Sequence, residues 1–396
     1  MKKNLLFVMP SLSVGGGEKS LVNLLSQIDF ERYNVDLFLF NHKGIFMGFI
    51  PSEVKVLPLS DTYKLFSLPF VKSIQKLLIK REISLAINRL KFTIMNKINS
   101  NSSVGEQYSW KYLSKSIDSI DKTYDAAIGF LEKTSNYFVV DKVKALKKIG
   151  WIHTDYDKLG MDPNFDIKYF NGLDNIVTVS EECASVIKNR FPSQKNKVNV
   201  IHNVVSPKTI FEMASCESGK LFDKKEGEIE ILSVGRLDYS KGFELAIESC
   251  KRLIDKGYKI KWNIIGEGVE RENLTKLIKL NNLEEHFKLL GLKTNPYPYI
   301  KRADIYVQPS RFEGKSIAID EAKILRKPIV VTNYSTAKDQ IVDKINGLIA
   351  EMNPASIADN IEELIINQEL ESTIKKNLSE EVLGTEKEIL KLYKLL

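Results

Sequence analysis

Two basic and two acidic residues in the second half of the chain have the types and spacing for holding a phosphorylated ligand. Arg236 and Lys241 lie in Ser233-Val-Gly-Arg-Leu-Asp-Tyr-Ser-Lys-Gly242, just past an apolar run that reads as a strand and just before a helical pattern. An arginine fork can take two phosphate oxygens while a lysine adds a compact point charge, so the pair could neutralise a departing diphosphate without a metal ion. The plainer reading is surface pairing with Asp238 or Glu244. Glu313 lies in Pro309-Ser-Arg-Phe-Glu-Gly-Lys-Ser316, and Glu321 follows eight positions later in the next helix. Glu313 can accept from sugar hydroxyls and Glu321 from the vicinal hydroxyls of a ribose. The free N–H groups of the helix's first turn, around Gly314, Lys315 and Ser316, would face the diphosphate.

In the first half, Gly15-Gly16-Gly17-Glu18 joins a strand to a helix, where backbone can approach a phosphate or sugar closely. Taken alone it reads more simply as a plain strand-to-helix turn needing positive φ. His153, in Trp151-Ile-His-Thr-Asp155, stands at the end of a strand, where open α/β sheets place their ligands. It could bond a sugar hydroxyl or phosphate, or be structural. His42, His202 and His286 have no companions at metal-ligand spacing, and Cys183, Cys216 and Cys250 include no close pair, so no metal site is assigned. Gly314-Lys315-Ser316 imitates the end of a Walker A loop, but Pro309 stands where that loop needs glycine.

The elements positioning these residues alternate between short β-rich runs and helical patterns, the mark of βαβ units around parallel sheets. Strands are expected at Asn4–Met9, Val35–Phe40, Ala126–Gly129, Ile149–Ile152, Ile176–Val179 and Val198–Ile201, with a helix over Glu18–Ile28. A second series is expected at Ile229–Gly235, Lys261–Gly266, Phe287–Gly291, Ile305–Gln308, Ile329–Thr332 and Leu348–Ala350. The 396 residues exceed what one core usually holds, about 250–300, so two domains are expected. We read 1–205 as the first domain, 206–227 as an irregular linker, 228–380 as the second domain, and 381–396 as a helix returning to the first. The start, through Pro10, reads as a buried strand rather than a leader, and the sparse cysteines suit a reducing, cytoplasmic setting.

A net charge of +7 fits nucleic acid, lipid headgroups or a phosphorylated ligand, so its distribution has to choose. Within an insertion at about 61–115, the segment from Lys64 to Lys97 carries Lys64, Lys72, Lys76, Lys80, Arg81, Arg89, Lys91 and Lys97 against one acid, Glu82, with apolar residues between them. Such a segment can dock on an anionic membrane, or be a solvated face over ordinary core. No module pairs basic residues with exposed aromatics as a nucleic-acid binder would.

Taken together, the glycine loop, Trp151-Ile-His-Thr-Asp155, Val179-Ser-Glu-Glu182, Ile201-His-Asn-Val204, Arg236 with Lys241-Gly242, Ile265-Gly-Glu-Gly268 and the Glu313/Glu321 pair resemble glycosyltransferase family 4. The resemblance implies the GT-B fold: two Rossmann-like parallel-sheet domains facing a central cleft, the first for the acceptor and the second for a nucleotide sugar. It implies a retaining transfer without a metal cofactor. Arg236 and Lys241 would hold the diphosphate, Glu321 the ribose and Glu313 the sugar. His153, Gly16 and Gly17 would close over the donor, and Gly266 with Gly291-Leu292-Lys293 would meet the nucleotide and its base. Lys315-Ser316 departs from the family's frequent Gly-Phe-Gly and resembles bacterial transferases that build capsule, exopolysaccharide or O-antigen. These expectations give a UDP-sugar donor, a lipid-linked saccharide acceptor, and a cytoplasmic protein peripheral to the inner face of the membrane. A nucleotide-sugar 2-epimerase and a non-catalytic partner of another transferase share the plan.

Overall fold

The computed structural model describes residues 2–13, 15–99, 101–216 and 225–396. They form two compact units: Met1–Ser13, Leu24–His202 and Ile389–Leu396 in the first, Val14–Asn23 and Asn203–Glu388 in the second.

The first unit is built on β1 (Lys3–Met9), β2 (Tyr33–Leu39), β3 (Val54–Val56), β4 (Ile120–Gly129), β5 (Val143–Ile152), β6 (Asn175–Thr178) and β7 (Val198–Val200). Its sheet order is β3-β2-β1-β4-β5-β6-β7, and every pair is parallel. Both faces are covered, so β1 is a continuous apolar run from Leu5 to Met9 rather than an alternating one. Helix α1 (Gly16–Leu25) follows β1. The basic insertion folds as α2 (Asp61–Phe66), α3 (Phe70–Ile79), α4 (Ile83–Ile98) and α5 (Ser102–Leu113), and α6 (Thr134–Lys142), α7 (Pro163–Asn171) and α8 (Glu181–Arg190) complete the layers. Leu6 and Val8 of β1 pack with Phe38, Trp110, Tyr137 and Phe138 in an aromatic-rich core of this unit.

The second unit carries α9 (Pro207–Ser215), β8 (Ile229–Val234), α10 (Phe243–Asp255), β9 (Ile260–Ile265), α11 (Arg271–Leu280), β10 (Phe287–Leu289), α12 (Tyr297–Arg302), β11 (Ile305–Gln308), α13 (Ile317–Ile324), β12 (Ile329–Thr332), β13 (Leu348–Ala350), α14 (Pro354–Ile366) and α15 (Gln368–Glu380). Its parallel sheet runs β10-β9-β8-β11-β12-β13. Successive strand side chains point to opposite faces: Ile231 and Val330 enter one core with Phe243 and Trp262, whereas Leu232 and Val331 enter the other with Tyr297 and Ile319.

Part of the 206–227 stretch expected to be irregular is helix α9. Pro207 stands in its first turn, and Ile210 and Ala214, one turn apart, are buried. Residues 217–224 of that stretch lie outside the described residues. The short strand β3 was not expected. Residues 381–388 stay with the second unit, where Thr385 donates from Oγ1 to the Asn203 carbonyl at 2.7 Å and its N–H to Val205 at 3.0 Å. The last helix, α16 (Ile389–Leu395), belongs to the first unit. There the Tyr393 hydroxyl accepts from the Asp29 N–H at 2.8 Å, and its ring stacks on Tyr33 at 5.0 Å.

Candidate active site

In a doubly wound sheet the strands on either side of the order reversal send their following loops apart, leaving a crevice at their carboxyl ends. In the second unit those strands are β8 and β11. The loop after β8 carries Arg236 and Lys241, and the loop after β11 carries Glu313.

The loops meet through Lys241, whose Nζ lies 2.5 Å from Glu313 Oε1; the side chains are 18% and 11% exposed. Lys241 therefore pairs with neither Asp238 nor Glu244. The same Glu313 oxygen accepts from Ser310 Oγ at 2.7 Å and Gln308 Nε2 at 3.2 Å. Gln308 is itself oriented by the Tyr306 hydroxyl, which donates to its Oε1 at 2.8 Å. Three donors on one oxygen fix the carboxylate plane and leave Oε2 outside these contacts. Arg236 pairs with Asp238 at 2.6 Å, yet its side chain remains 60% exposed, and an exposed pair of this kind is weak. The guanidinium is thus open to a stronger anionic partner.

Arg311, which the sequence analysis did not single out, staples the two loops. Its N–H donates to the Ser240 carbonyl at 2.7 Å and its Nη1 to the Tyr239 carbonyl at 3.0 Å; the guanidinium stacks over the Tyr239 ring and pairs with Glu244. Gly242 permits this approach: its φ is +61°, and a Cβ there would stand 2.1 Å from the Pro309 carbonyl oxygen. Gly266, after β9, is equally confined, because a Cβ would fall 1.8 Å from the Gly235 oxygen. Its N–H donates to the Gly291 carbonyl at 3.0 Å, lacing in the loop that presents exposed Leu292 and places the Lys293 ammonium 5.7 Å from the Tyr299 ring centroid.

Gly314, Lys315 and Ser316 lead into α13, but the helix start differs from expectation. The Ser316 N–H donates to Gln340 Oε1 at 2.8 Å, and Gln340 Nε2 returns to the Ser316 carbonyl at 2.8 Å and to Asp320 at 2.8 Å. That N–H is therefore not among those free to face a phosphate. Gln340 is too distant in sequence for any local pattern to have shown it. Glu321 is 1% exposed and accepts from the Tyr297 hydroxyl at 3.0 Å, while Lys19 pairs with it.

Lys19 lies in α1, whose first two residues are Gly16 and Gly17; both are helical, not a left-handed turn. An added Cβ at Gly16 would meet nothing within 4 Å, so its backbone is open to a ligand. Although expected in the first domain, the segment Val14–Asn23 falls in the second unit. Ser20 Oγ donates to Asn203 Oδ1 at 2.8 Å, and Asn203 Nδ2 to the Lys315 carbonyl at 3.3 Å.

His153 belongs to the first unit, in the loop after β5. Its backbone N–H donates to Glu132 Oε2 at 3.0 Å, and its ring lies 4.9 Å from that of Phe130. Burial holds the imidazole pKa down at about 3 despite a bond to the Phe130 carbonyl, so the ring is neutral. Its Nε2 is shielded and has no partner, an orphaned acceptor of the sort a ligand hydroxyl satisfies. Beside it, after β4, Lys133 holds φ +66°, an uncommon conformation for a residue with a side chain, and its ammonium lies 2.6 Å from Glu106. Among the described residues no group of three or more His, Cys, Asp and Glu comes together as a metal site.

Part of the chain matches a known family. Residues 219–381 match the family described as "Glycosyl transferases group 1". The chain is 33% identical over 187 residues to the N-acetylgalactosamine-N,N'-diacetylbacillosaminyl-diphospho-undecaprenol 4-alpha-N-acetylgalactosaminyltransferase of Campylobacter jejuni, covering 47% of this chain and 49% of that one. It is 29% identical over 210 residues to the capsular polysaccharide biosynthesis glycosyltransferase CapM of Staphylococcus aureus, covering 51% and 55%. The chain spans about half the length of the curated relatives it matches. Over 99% of both chains it superposes on TarM of S. aureus, solved with UDP among its ligands, at a TM-score of 0.68 and 18% identity. The fold is therefore that of GT-B glycosyltransferases, two Rossmann-like parallel-sheet domains. More narrowly, residues 219–381 resemble a group 1 glycosyl transferase domain, and the chain is similar to proteins named for bacterial capsule and O-antigen synthesis.

Proposed function

We propose that this protein is a retaining glycosyltransferase that moves a hexose-type sugar from a UDP-sugar to a lipid-linked glycan acceptor in bacterial surface polysaccharide synthesis, with no metal cofactor. The observation carrying this reading is the Lys241–Glu313 pair at the β8/β11 reversal beside the open guanidinium of Arg236. In this mechanism the acceptor hydroxyl attacks the anomeric carbon from the face the diphosphate leaves. The C–O bond to the diphosphate breaks as the new C–O bond forms, and the departing phosphate oxygen takes the hydroxyl proton. Arg236 and Lys241 stabilise charge on that leaving group, a preorganised effect commonly worth a few kcal/mol. Glu313 orients the sugar, Glu321 the ribose, and the orphaned Nε2 of His153 accepts from a donor hydroxyl. Gly16, with open backbone, and Gly17 close over the donor, and the 291–293 loop receives the base. The capsular and O-antigen relatives support the pathway, the diphospho-undecaprenol acceptor named for the Campylobacter relative supports the lipid-linked acceptor, and the UDP in the TarM structure supports the donor.

The test is turnover of a panel of UDP- and GDP-sugars, with EDTA throughout, following free nucleotide diphosphate with and without bacterial lipid extract. Lipid-dependent release from one donor, with the product retaining the donor's anomeric configuration by NMR, is expected. Release without any acceptor and with conversion of the donor sugar would make the protein an epimerase instead. Tight nucleotide binding with no release from any donor would make it a non-catalytic partner.

The same reading places the protein peripherally on the cytoplasmic membrane face through α3 and α4. No helix among the described residues is long and apolar enough to cross a membrane. On α4, however, Ile83, Ile87, Leu90, Ile94 and Ile98 are all exposed at spacings of three and four, a single helical stripe, and Val71, Leu78 and Ile79 are exposed on α3. Lys72, Lys76, Lys80, Arg81, Lys91 and Lys97 are exposed with them, which suits an anionic lipid surface. Arg89 instead braces the helices from within, its guanidinium lying over the rings of Phe66, Phe70 and Phe92 and bonding Thr93 and the Leu68 carbonyl. Sedimentation with phosphatidylglycerol vesicles checks this. Binding that survives Ile87→Asp with Ile94→Asp would remove the stripe from the account.

A further inference from the structure

The most deeply buried carboxylate of the candidate site has a cation that the donor reading does not use. Lys19 and Glu321 lie within the second unit, their side chains 17% and 2% exposed. The ammonium pairs with Glu321 Oε1 and stands 4.5 Å from the centroid of the Tyr297 ring, while the Tyr297 hydroxyl donates to that same Oε1 at 3.0 Å. Both contacts fall on one oxygen, Oε1, and Oε2 lies outside them.

We propose that Lys19 is a positioning residue for the nucleotide: by holding Oε1 of Glu321 it fixes the carboxylate so that Oε2 receives the ribose hydroxyls. This rests on the reading of the second unit as the donor site, and it assigns to α1 a part in ribose recognition. Three elements bear on one side chain: α13 carries Glu321, α12 carries Tyr297, and α1 carries Lys19. A carboxylate on a helix can still turn about its terminal torsion, which is broad and roughly two-fold. A charged donor and a hydroxyl on the same oxygen remove that freedom. Electrostatics agree: burial alone would lower the Lys19 pKa, but the charge and hydrogen bonds of Glu321 and Tyr297 outweigh it, and the net shift is upward. The ammonium is therefore a permanent partner of the carboxylate. Glu313 repeats the device, with Lys241 on its Oε1.

A merely structural Lys19 would alter stability and bind all nucleotides alike; a positioning Lys19 alters recognition of the diol. The experiment is calorimetric titration of the full chain and its Lys19→Met, Lys19→Arg, Tyr297→Phe and Glu321→Gln variants with UDP and with 2′,3′-dideoxy-UDP. The wild type should prefer UDP by about tenfold or more, the scale of one charge-assisted hydrogen bond. Lys19→Met should lose most of that preference while its affinity for the dideoxy compound stays within about twofold; Lys19→Arg should keep it. Tyr297→Phe, which removes the other Oε1 donor, should lose part of it and serves if Lys19→Met does not fold. Equal weakening of both ligands in Lys19→Met or, where that variant does not fold, in Tyr297→Phe, or a preference left intact there, would overturn the proposal. If Glu321→Gln keeps the full preference, Glu321 does not read the ribose and the proposal falls while the donor site stands. If the wild type binds no UDP, the donor reading fails first.

Discussion

Replacing Gly242 by alanine isolates what holds the two site loops together. The substitution meets two costs: alanine at φ +61° loses about 1–2 kcal/mol to left-handed strain, and its Cβ would stand 2.1 Å from the Pro309 oxygen. Relief to an ordinary contact needs a separation of roughly 1 Å, since contacts below about 3 Å are repulsive. Such a shift would stretch the 2.7 Å bond from the Arg311 N–H to the Ser240 carbonyl beyond hydrogen-bonding range, forfeiting about another 1 kcal/mol. The expected loss is therefore about 2–3 kcal/mol. Gly257 is the control. It also has positive φ, +94°, but an added Cβ there meets nothing within 4 Å, so Gly257→Ala should show the backbone strain alone. Urea unfolding followed by fluorescence reports on this, with Trp262 buried in the second unit's core. Because Lys241 and Glu313 sit on the displaced loops, turnover should fall by about 100-fold in Gly242→Ala, the effect of misplacing catalytic groups by roughly 1 Å. If Gly242→Ala were no less stable than Gly257→Ala, the Pro309 approach would not be what requires glycine.

Lys241→Ala should lower kcat by about 10²–10³. It should cost only about 1–2 kcal/mol in unfolding free energy, because Glu313 keeps Ser310 and Gln308 as donors; full activity would remove Lys241 from the site. His153 makes stability pH-dependent. With its folded pKa at about 3 and its ordinary value at 6.5, its contribution is complete above pH 6.5 and is lost as pH falls toward 3. The loss of stability between pH 6.5 and 4 should therefore be shallower in His153→Gln than in the wild type, and parallel curves would refute the buried neutral imidazole. Tyr393→Ala removes both the Asp29 bond and the Tyr33 stack. It should destabilise the first unit by about 2 kcal/mol, measured by hydrogen exchange in β2.

The sheets were legible because both faces of each are covered, turning stretches such as Leu5–Met9 and Ile329–Val331 into unbroken apolar runs. β3 was not, since Val54–Val56 is three residues long with only Val54 fully buried. Arg236, Lys241 and Glu313 could be picked out because strand-ending loops are recognisable locally. Their neighbours could not: Arg311 reads as one more surface cation until its bonds to the Tyr239 and Ser240 carbonyls are seen, and Lys19 and Glu321 meet only through the tertiary fold. The exposed stripe on α4 was half legible. Periodicity shows that its isoleucines share a face, but not that the face is left uncovered.

The two lysine–glutamate pairs also bear on why this site is charged at all. A shielded ion pair contributes little net stability, because removing both groups from water offsets their attraction, and apolar residues of similar volume often serve the fold as well. Lys241–Glu313 and Lys19–Glu321 are therefore poorly explained as fold-holding contacts. On the proposed function they answer what a diphosphate and a ribose would demand: a cation already in place that need not be desolvated alone, and a carboxylate with one oxygen pinned. In the resting site each charge neutralises the other. On that function an arriving nucleotide would share Lys241 between Glu313 and phosphate, whereas Lys19, paired beside Tyr297, would stay with Glu321. The first lysine should thus influence turnover and the second ribose discrimination, a division that a single substitution in each can separate.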